Sequence, residues 1–317
     1  MGHADHHHGH DDHGHDHGHG HDHARGGHNH GPVDTGDWRY AVGLIVNLAF
    51  VAVEFGAGVF SGSTALMADA GHNLSDVLGL AMAGGAAWLA RRAAGSHQTY
   101  GYGKATVLAA LANALLLIFA CGAIAVEAVQ RLDSGAEVQS QIVMIVAGIG
   151  FVINLGTALL FMRDQHSDLN ARGAYLHMMA DAAVSIGVVI AGAAILFTGW
   201  SIIDPLVSLV IVAVILIGTW GLLKDSVNLA LDAAPRSVNV EAVRAALLSL
   251  PGVGAVHDLH VWGLSTTDTA LTAHLVHDRS DPEALLAEAH ALARSRFGID
   301  HTTLQLEAGA LPDCPDC

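Results

Sequence analysis

Residues 65–85 read ALMADAGHNLSDVLGLAMAGG, an apolar run of Ala, Leu, Met, Gly and Val that carries Asp69, His72 and Asp76 inside it. A polar group inside an apolar helix is costly unless something compensates it, so each of these three side chains needs a use. The apolar background itself sets the fold class. The chain of 317 residues is 52% hydrophobic and only 14% charged, with a mean hydropathy of +0.42. That balance exceeds an ordinary soluble domain and points to a membrane protein. Windows of about 20 apolar residues, the length that crosses a bilayer, fall near 38–60, 65–90, 104–130, 139–162, 173–198 and 202–224. The sequence therefore predicts an α-helical membrane protein with six transmembrane helices.

The flanking charges give an orientation. With the N-terminus in the cytosol, Arg39, Arg91, Arg92, Lys104, Arg163, Arg172 and Lys224 all fall on the cytosolic side and only Arg131 outside, a positive-inside pattern. Six spans then return the C-terminus to the cytosol. No cleavable signal is expected ahead of the first span, because the chain opens on His, Asp and Gly rather than a short basic region. The compact chain suggests a bacterial cytoplasmic membrane. The formal net charge of −16 argues against nucleic acid as a partner and suits cations.

Three regions follow from composition. Residues 1–36 are low in complexity (HADHHHGHDDHGHDHGHGHDHARGGHNHG from residue 3). An expression tag is the plain alternative, but Asp and Gly interrupt the His residues irregularly. The reading preferred here is a disordered metal-binding tract that collects Zn²⁺-like ions without one fixed site. Residues 37–235 hold the spans and their short loops. Residues 236–317 change character. Ser237 is positioned to cap a helix ending before Pro251-Gly252, and the strand-like runs VHDLHVWGL (256–264) and TALTAHLVHD (269–278) flank the turn STTD. A helix opening at Asp281-Pro282 stops at Gly298, and HTTLQLEA (301–308) reads as a last strand. The order α-β-β-α-β predicts a small cytosolic α+β domain of ferredoxin-like type.

His72 and Asp76 stand four residues apart, so a helix puts them on one face. The spacing recurs in the fifth span, where GAYLHMMADAAVS carries His177 and Asp181. Facing helices would offer two imidazoles and two carboxylates, a tetrahedral set that suits Zn²⁺ better than Mg²⁺ or Ca²⁺. An Asp at mid-span costs about 2.5–3.5 kcal/mol on insertion scales. One such pair is equally explained by an internal hydrogen bond or a watery vestibule. Two pairs on separate spans select a cation site. Asp69, one turn earlier, reads as a supporting or vestibule carboxylate. Asn47, Glu54, Asn113, Glu127 and Asn154 read as interhelical or interfacial polar groups, and Asp204 before Pro205 as a helix cap.

The segments SGSTALMADAGHNLSDVLGL (61–80), YGYGK (100–104), HMMAD (177–181), DPLVSLVI (204–211) and VHDLHVW (256–262) together resemble the cation diffusion facilitator family, of the zinc-transporter type. The resemblance covers essentially the whole chain after the His-rich tract. It implies six transmembrane helices, a metallochaperone-like cytosolic tail, a homodimer, and export of Zn²⁺ from the cytosol in exchange for protons. The family's four-residue site falls on His72, Asp76, His177 and Asp181, and His at position 72 is the form typical of zinc transporters. His97 lies in a loop where some members hold a further, weaker site. The resemblance also implies a regulatory zinc in the tail, at positions similar to His257, His274 and Glu307. Some relatives have His where this chain has Gln305, a poor zinc ligand, so nearby His301 is a candidate to complete the set.

Cys121 lies within a span and reads as a small packing residue. Cys314 and Cys317 form a CxxC with zinc-thiolate spacing. His260, His277 and His290 read as structural or surface residues and Trp262 as core. The chain is expected not to be an enzyme, since no HExxH-type pattern accompanies the metal ligands. A membrane-anchored zinc sensor or metallochaperone is the rival function. It has no use for ligands at mid-bilayer depth.

Overall fold

A computed structural model of the chain describes residues 38–134, 137–162 and 169–309. The His-rich tract 1–36 and the terminal Cys314 and Cys317 lie outside the described residues. Six long helices come first: α1 (Trp38–Ser61), α2 (Thr64–Ala90), α3 (Lys104–Ser134), α4 (Ser140–Phe161), α5 (Leu169–Thr198) and α6 (Ile203–Ala230). Each overlays one of the apolar windows. Among the described residues, four segments are long and apolar enough to cross a membrane: Lys104–Leu132, Ser140–Leu160, Tyr175–Thr198 and Ile203–Ala230. α1 adds a shorter apolar segment, Leu48–Ser61. α2 is not among the four, and Asp69, His72, Asn73 and Asp76 are the reason: they crowd two turns of an otherwise apolar helix.

The bundle is turned inside out relative to a soluble protein. Phe60, Phe119, Phe197 and Ile217 are between 74% and 86% exposed on its surface, while Glu54, Asp69, Asp181 and Asp204 are buried within it. Such an arrangement is favourable only where the surroundings are hydrocarbon. α2 occupies the middle, packed against α1, α3, α5 and α6. Small residues let it in. A Cβ on Gly58 would meet Met67 Cγ at 2.8 Å and Met67 N at 3.1 Å, and one on Gly79 would meet Asn113 Nδ2 at 2.7 Å.

The start of α2 is fastened by a residue 140 positions away. Ser63 caps the helix by accepting from Leu66 N at 3.1 Å. Asp204, expected to cap α6, sits inside the first turn of that helix and serves α2 instead. Its carboxylate accepts from Thr64 N at 2.7 Å, from Thr64 Oγ1 at 2.8 Å, and from Ser63 Oγ. A carboxylate at a helix N-terminus answers both the unpaired N–H groups and the helix dipole. Beside it, Arg131 at the end of α3 pairs with Glu127 at 2.7 Å and donates to the Gly62 carbonyl.

The tail is a small α/β domain of order α7 (Val240–Leu248), β1 (Val253–Gly263), β2 (Thr269–His277), α8 (Pro282–Phe297) and β3 (His301–Glu307). Its three-stranded sheet runs β1-β2-β3, antiparallel between β1 and β2 and parallel between β2 and β3, with α8 as the crossover. The cap of α7 is Asn239, two residues after the expected Ser237, and its side chain accepts from Ala242 N at 3.1 Å. Ser265 and Asp268 close the STTD turn through a 2.7 Å side-chain hydrogen bond. Val243, Leu247, Val261, Leu271, Leu275 and Ala289 build the core between the helices and one face of the sheet. The tail touches the α2–α3 loop and the start of α3: Thr266 N donates to Thr106 Oγ1 at 3.1 Å, and the Tyr100 and His301 rings stand 5.2 Å apart.

Candidate metal centre

α2 and α5 bring His72, Asp76, His177 and Asp181 together. His72 Nε2 lies 3.6 Å from both Asp76 Oδ2 and Asp181 Oδ1, and His177 Nε2 lies 3.3 Å from Asp76 Oδ2 and 3.5 Å from Asp181 Oδ2. Each imidazole thus faces one carboxylate of its own helix and one of the other. The two rings meet edge to face, with centroids 6.2 Å apart. Most of these separations exceed a good N–H···O hydrogen bond. The imidazole–carboxylate edges fit a shared ion better, and the donor atoms of His72, Asp76 and Asp181 all lie within 4.8 Å of one another, with His177 outside that group of three. Zinc–nitrogen and zinc–oxygen bonds of about 2.0–2.2 Å give tetrahedral edges of about 3.3–3.6 Å. Asp181 is buried, and the other three are partly covered.

Further polar groups lie beside this quartet. Asp69 is fully buried one turn before His72, and its Oδ2 accepts from Ser185 Oγ on α5 at 3.1 Å. Glu54 on α1 is also fully buried, and accepts from Asn73 Nδ2 at 3.3 Å. Of the other polar groups in the spans, Asn113 accepts from Ser75 Oγ at 3.3 Å, an interhelical hydrogen bond between α3 and α2.

A second cluster forms in the tail. His257 and His274 are direct cross-strand partners on β1 and β2, with ring centroids 5.0 Å apart. Glu307 at the end of β3 reaches both, at 3.0 Å from His257 Nε2 and 2.9 Å from His274 Nδ1. The donor atoms of the three lie within 4.8 Å of one another, and two imidazoles with a carboxylate are a donor set that fits zinc. The hydrogen bond from His257 holds the Glu307 carboxyl below the usual glutamate range, against the opposing effect of burial. Gln305 is the register partner of His274 on β3. Its Nε2 donates to Glu307 Oε1 at 3.0 Å, orienting that carboxylate.

Asp258 joins this cluster without having been singled out in the sequence. It sits at φ +49° where the β1–β2 register slips between His257 and His260, and the irregularity brings its Oδ2 to 3.5 Å from His274 Nε2. No local sequence signal marks such a bulge. His301 is not brought to the cluster. It begins β3 opposite Ala270, six residues from Glu307, about 20 Å along the strand. His97 is exposed in the α2–α3 loop. His260 pairs with Asp258 at 2.8 Å, and His290 bonds Thr302.

Residues 40–229 match the family model of the cation efflux transmembrane domain, and residues 235–309 that of the cation efflux protein cytoplasmic domain. The metal cation efflux system protein CzcD of Cupriavidus metallidurans is 36% identical over 283 residues, covering 89% of this chain and 90% of its own. The zinc transporter ZitB of Escherichia coli is 35% identical over 291 residues, 90% of this chain and 93% of its own. A cadmium, cobalt and zinc/H⁺-K⁺ antiporter of Bacillus velezensis is 33% identical over 292 residues, 90% and 93% of the two chains. With both domains matched along nearly the full length, this chain belongs to the cation efflux, or cation diffusion facilitator, family, whose members are membrane transporters and not enzymes.

Proposed function

We propose that this protein exports Zn²⁺ from the cytosol in exchange for protons, through the site formed by His72, Asp76, His177 and Asp181. The observation that carries the reading is the set of edges between the two imidazoles and two carboxylates, 3.3–3.6 Å, at a partly covered position between α2 and α5. Cd²⁺ and Co²⁺, named for the Bacillus relative, accept similar ligands and are secondary cargo. Coupling to protons follows from the ligands themselves. Zinc takes neutral imidazole and ionised carboxylate, so loading sheds protons and protonation expels the metal. Rocking of α2 and α5 against the rest of the bundle would open the site to one side at a time.

Around that site the reading has six transmembrane helices, α1 and α2 included. The polar residues that lower the hydropathy of α2 are then the transport ligands, shielded from lipid by α1, α3, α5 and α6. Both termini lie in the cytosol of a bacterium, the membrane being its cytoplasmic one. Residues 1–36 form the metal-collecting arm, 37–235 the transport domain and 236–317 the tail. The tail binds a regulatory zinc through His257, His274 and Glu307, and its family model supports a homodimer. Cys314 and Cys317 are a further thiolate pair for metal, and His301 belongs to the contact with Tyr100 rather than to this cluster.

The test is zinc uptake into proteoliposomes under an imposed pH gradient. Uptake that follows the gradient sustains the exporter. Tight zinc binding without flux, in protein shown to be folded and correctly inserted, would make the protein a membrane-anchored sensor instead.

A further inference from the structure

The two halves of α2 are built differently. Every residue from Thr64 to Ala70 is buried, whereas the C-terminal half turns much of its surface outward. Leu80, Gly84, Trp88 and Arg92 recur at every fourth position and so share one face of the helix. All four are exposed, Trp88 at 58%, and a Cβ on Gly84 would meet nothing within 4 Å. That face is a strip of bare apolar helix ending in a tryptophan and two arginines. The Arg92 guanidinium lies over the Trp88 ring, 4.2 Å from its centroid. Such a stack occupies the flat faces of both groups and leaves the N–H edge of the guanidinium free. Arg91 is exposed beside it, and among the described residues neither arginine has a carboxylate partner. The sequence supplies none nearby. No Asp or Glu occurs between Asp76 and Glu127, in a chain with 30 acidic residues and a net charge of −16.

We propose that this corner of α2 holds the phosphate of an anionic phospholipid in the cytosolic leaflet, with an acyl chain lying along Gly84 and Leu80. The proposal rests on the six-span orientation given above.

Depth and chemistry agree with that occupant. Trp88 follows Asp76 by twelve residues, about 18 Å of helix. Half the hydrocarbon of a bilayer is about 15 Å thick. With the quartet at mid-membrane, Trp88 therefore reaches the headgroup boundary, where tryptophan is favoured. The planar fork of an arginine meets two phosphate oxygens with parallel N–H donors, and the stack on Trp88 orders Arg92 beforehand. A choline headgroup offers the same phosphate but carries its own cation, which the arginines repel. Each arginine near an anionic leaflet is worth about fivefold in affinity.

The experiment reconstitutes the full-length protein in phosphatidylcholine vesicles. A rising fraction of the lipid is replaced by brominated phosphatidylglycerol or, separately, by brominated phosphatidylcholine. Bromine on the chains quenches tryptophan at contact, and the difference between the parent and Trp88→Phe isolates the Trp88 emission. The same difference is taken in an Arg91→Gln/Arg92→Gln background. All three positions lie at the surface, so the substitutions leave the core of the bundle intact. Brominated phosphatidylglycerol is expected to reach half-maximal quenching at a lower fraction than brominated phosphatidylcholine, by at least about fivefold. The two arginine substitutions are expected to abolish that preference. Equal quenching by the two lipids in the parent, or a preference that survives the substitutions, overturns the site. A preference removed by inorganic phosphate, but not by chloride of equal ionic strength, assigns the corner to free phosphate and overturns the lipid. Trp88 quenched by neither lipid means that a second copy or another segment covers this face, and also overturns the proposal. No zinc is added, and zinc flux is measured separately, so failure of this site and failure of the exporter reading are told apart.

Discussion

A single residue fastens the start of α2. Asp204 takes the N–H and hydroxyl of Thr64 and the hydroxyl of Ser63, all buried. Its loss strands donors that have no water to turn to. Asp204→Ala should therefore destabilise the protein by about 1–3 kcal/mol, seen as a lower unfolding temperature in detergent, while zinc still binds the quartet. A variant as stable as the parent would show that the cap is idle. The partnership was not legible in the sequence, because the Asp204–Thr64 contact spans 140 positions and nothing local announces it. The quartet was legible, because an i,i+4 His–Asp pair in an apolar run is a local pattern, and it occurs twice. Asp258 was not, since the strand irregularity that aims it depends on the β1–β2 register rather than on residue type.

Among the elements, hydropathy located all six helices, and alternation with turn residues located the three strands. Boundaries were read less well where a cap depended on geometry, as with Asn239 in place of Ser237. Helix contacts came from glycines whose role no hydropathy window reveals. Gly58 admits the backbone of Met67, and Gly84 faces open space. Gly58→Ala should cost about 1–3 kcal/mol through overpacking. Gly84→Ala should be neutral or stabilising by up to about 1 kcal/mol, because alanine is the better helix former. Equal effects of the two substitutions, measured by thermal unfolding, would contradict the close α1–α2 packing.

The β-sheet of the tail adds a pH dependence. Glu307 is held below its usual value of about 4.5 by His257. A carboxyl with a lowered folded pKa stabilises above the unfolded value, and that contribution disappears as pH falls through the lowered one. Metal-free protein should therefore lose stability of the tail on acidification below about 4.5, and Glu307→Gln should lose less over the same range. Parallel curves for the two proteins would remove Glu307 as the source.

At the level of the whole molecule, two clusters of the same donor chemistry sit in different solvents. The quartet is enclosed by helices with lipid-facing exteriors, and the tail cluster lies on the face of a small sheet. In the proposed reading placement gives them separate duties: the first is on the path of the ion, and the second meets the membrane helices at contacts that include those of the α2–α3 loop and α3 with the tail. The most direct test compares gradient-driven zinc flux in proteoliposomes for Asp181→Ala and Glu307→Ala at equal protein insertion. The account predicts that flux vanishes in Asp181→Ala and persists, with altered dependence on zinc concentration, in Glu307→Ala. Parental flux in Asp181→Ala would contradict it.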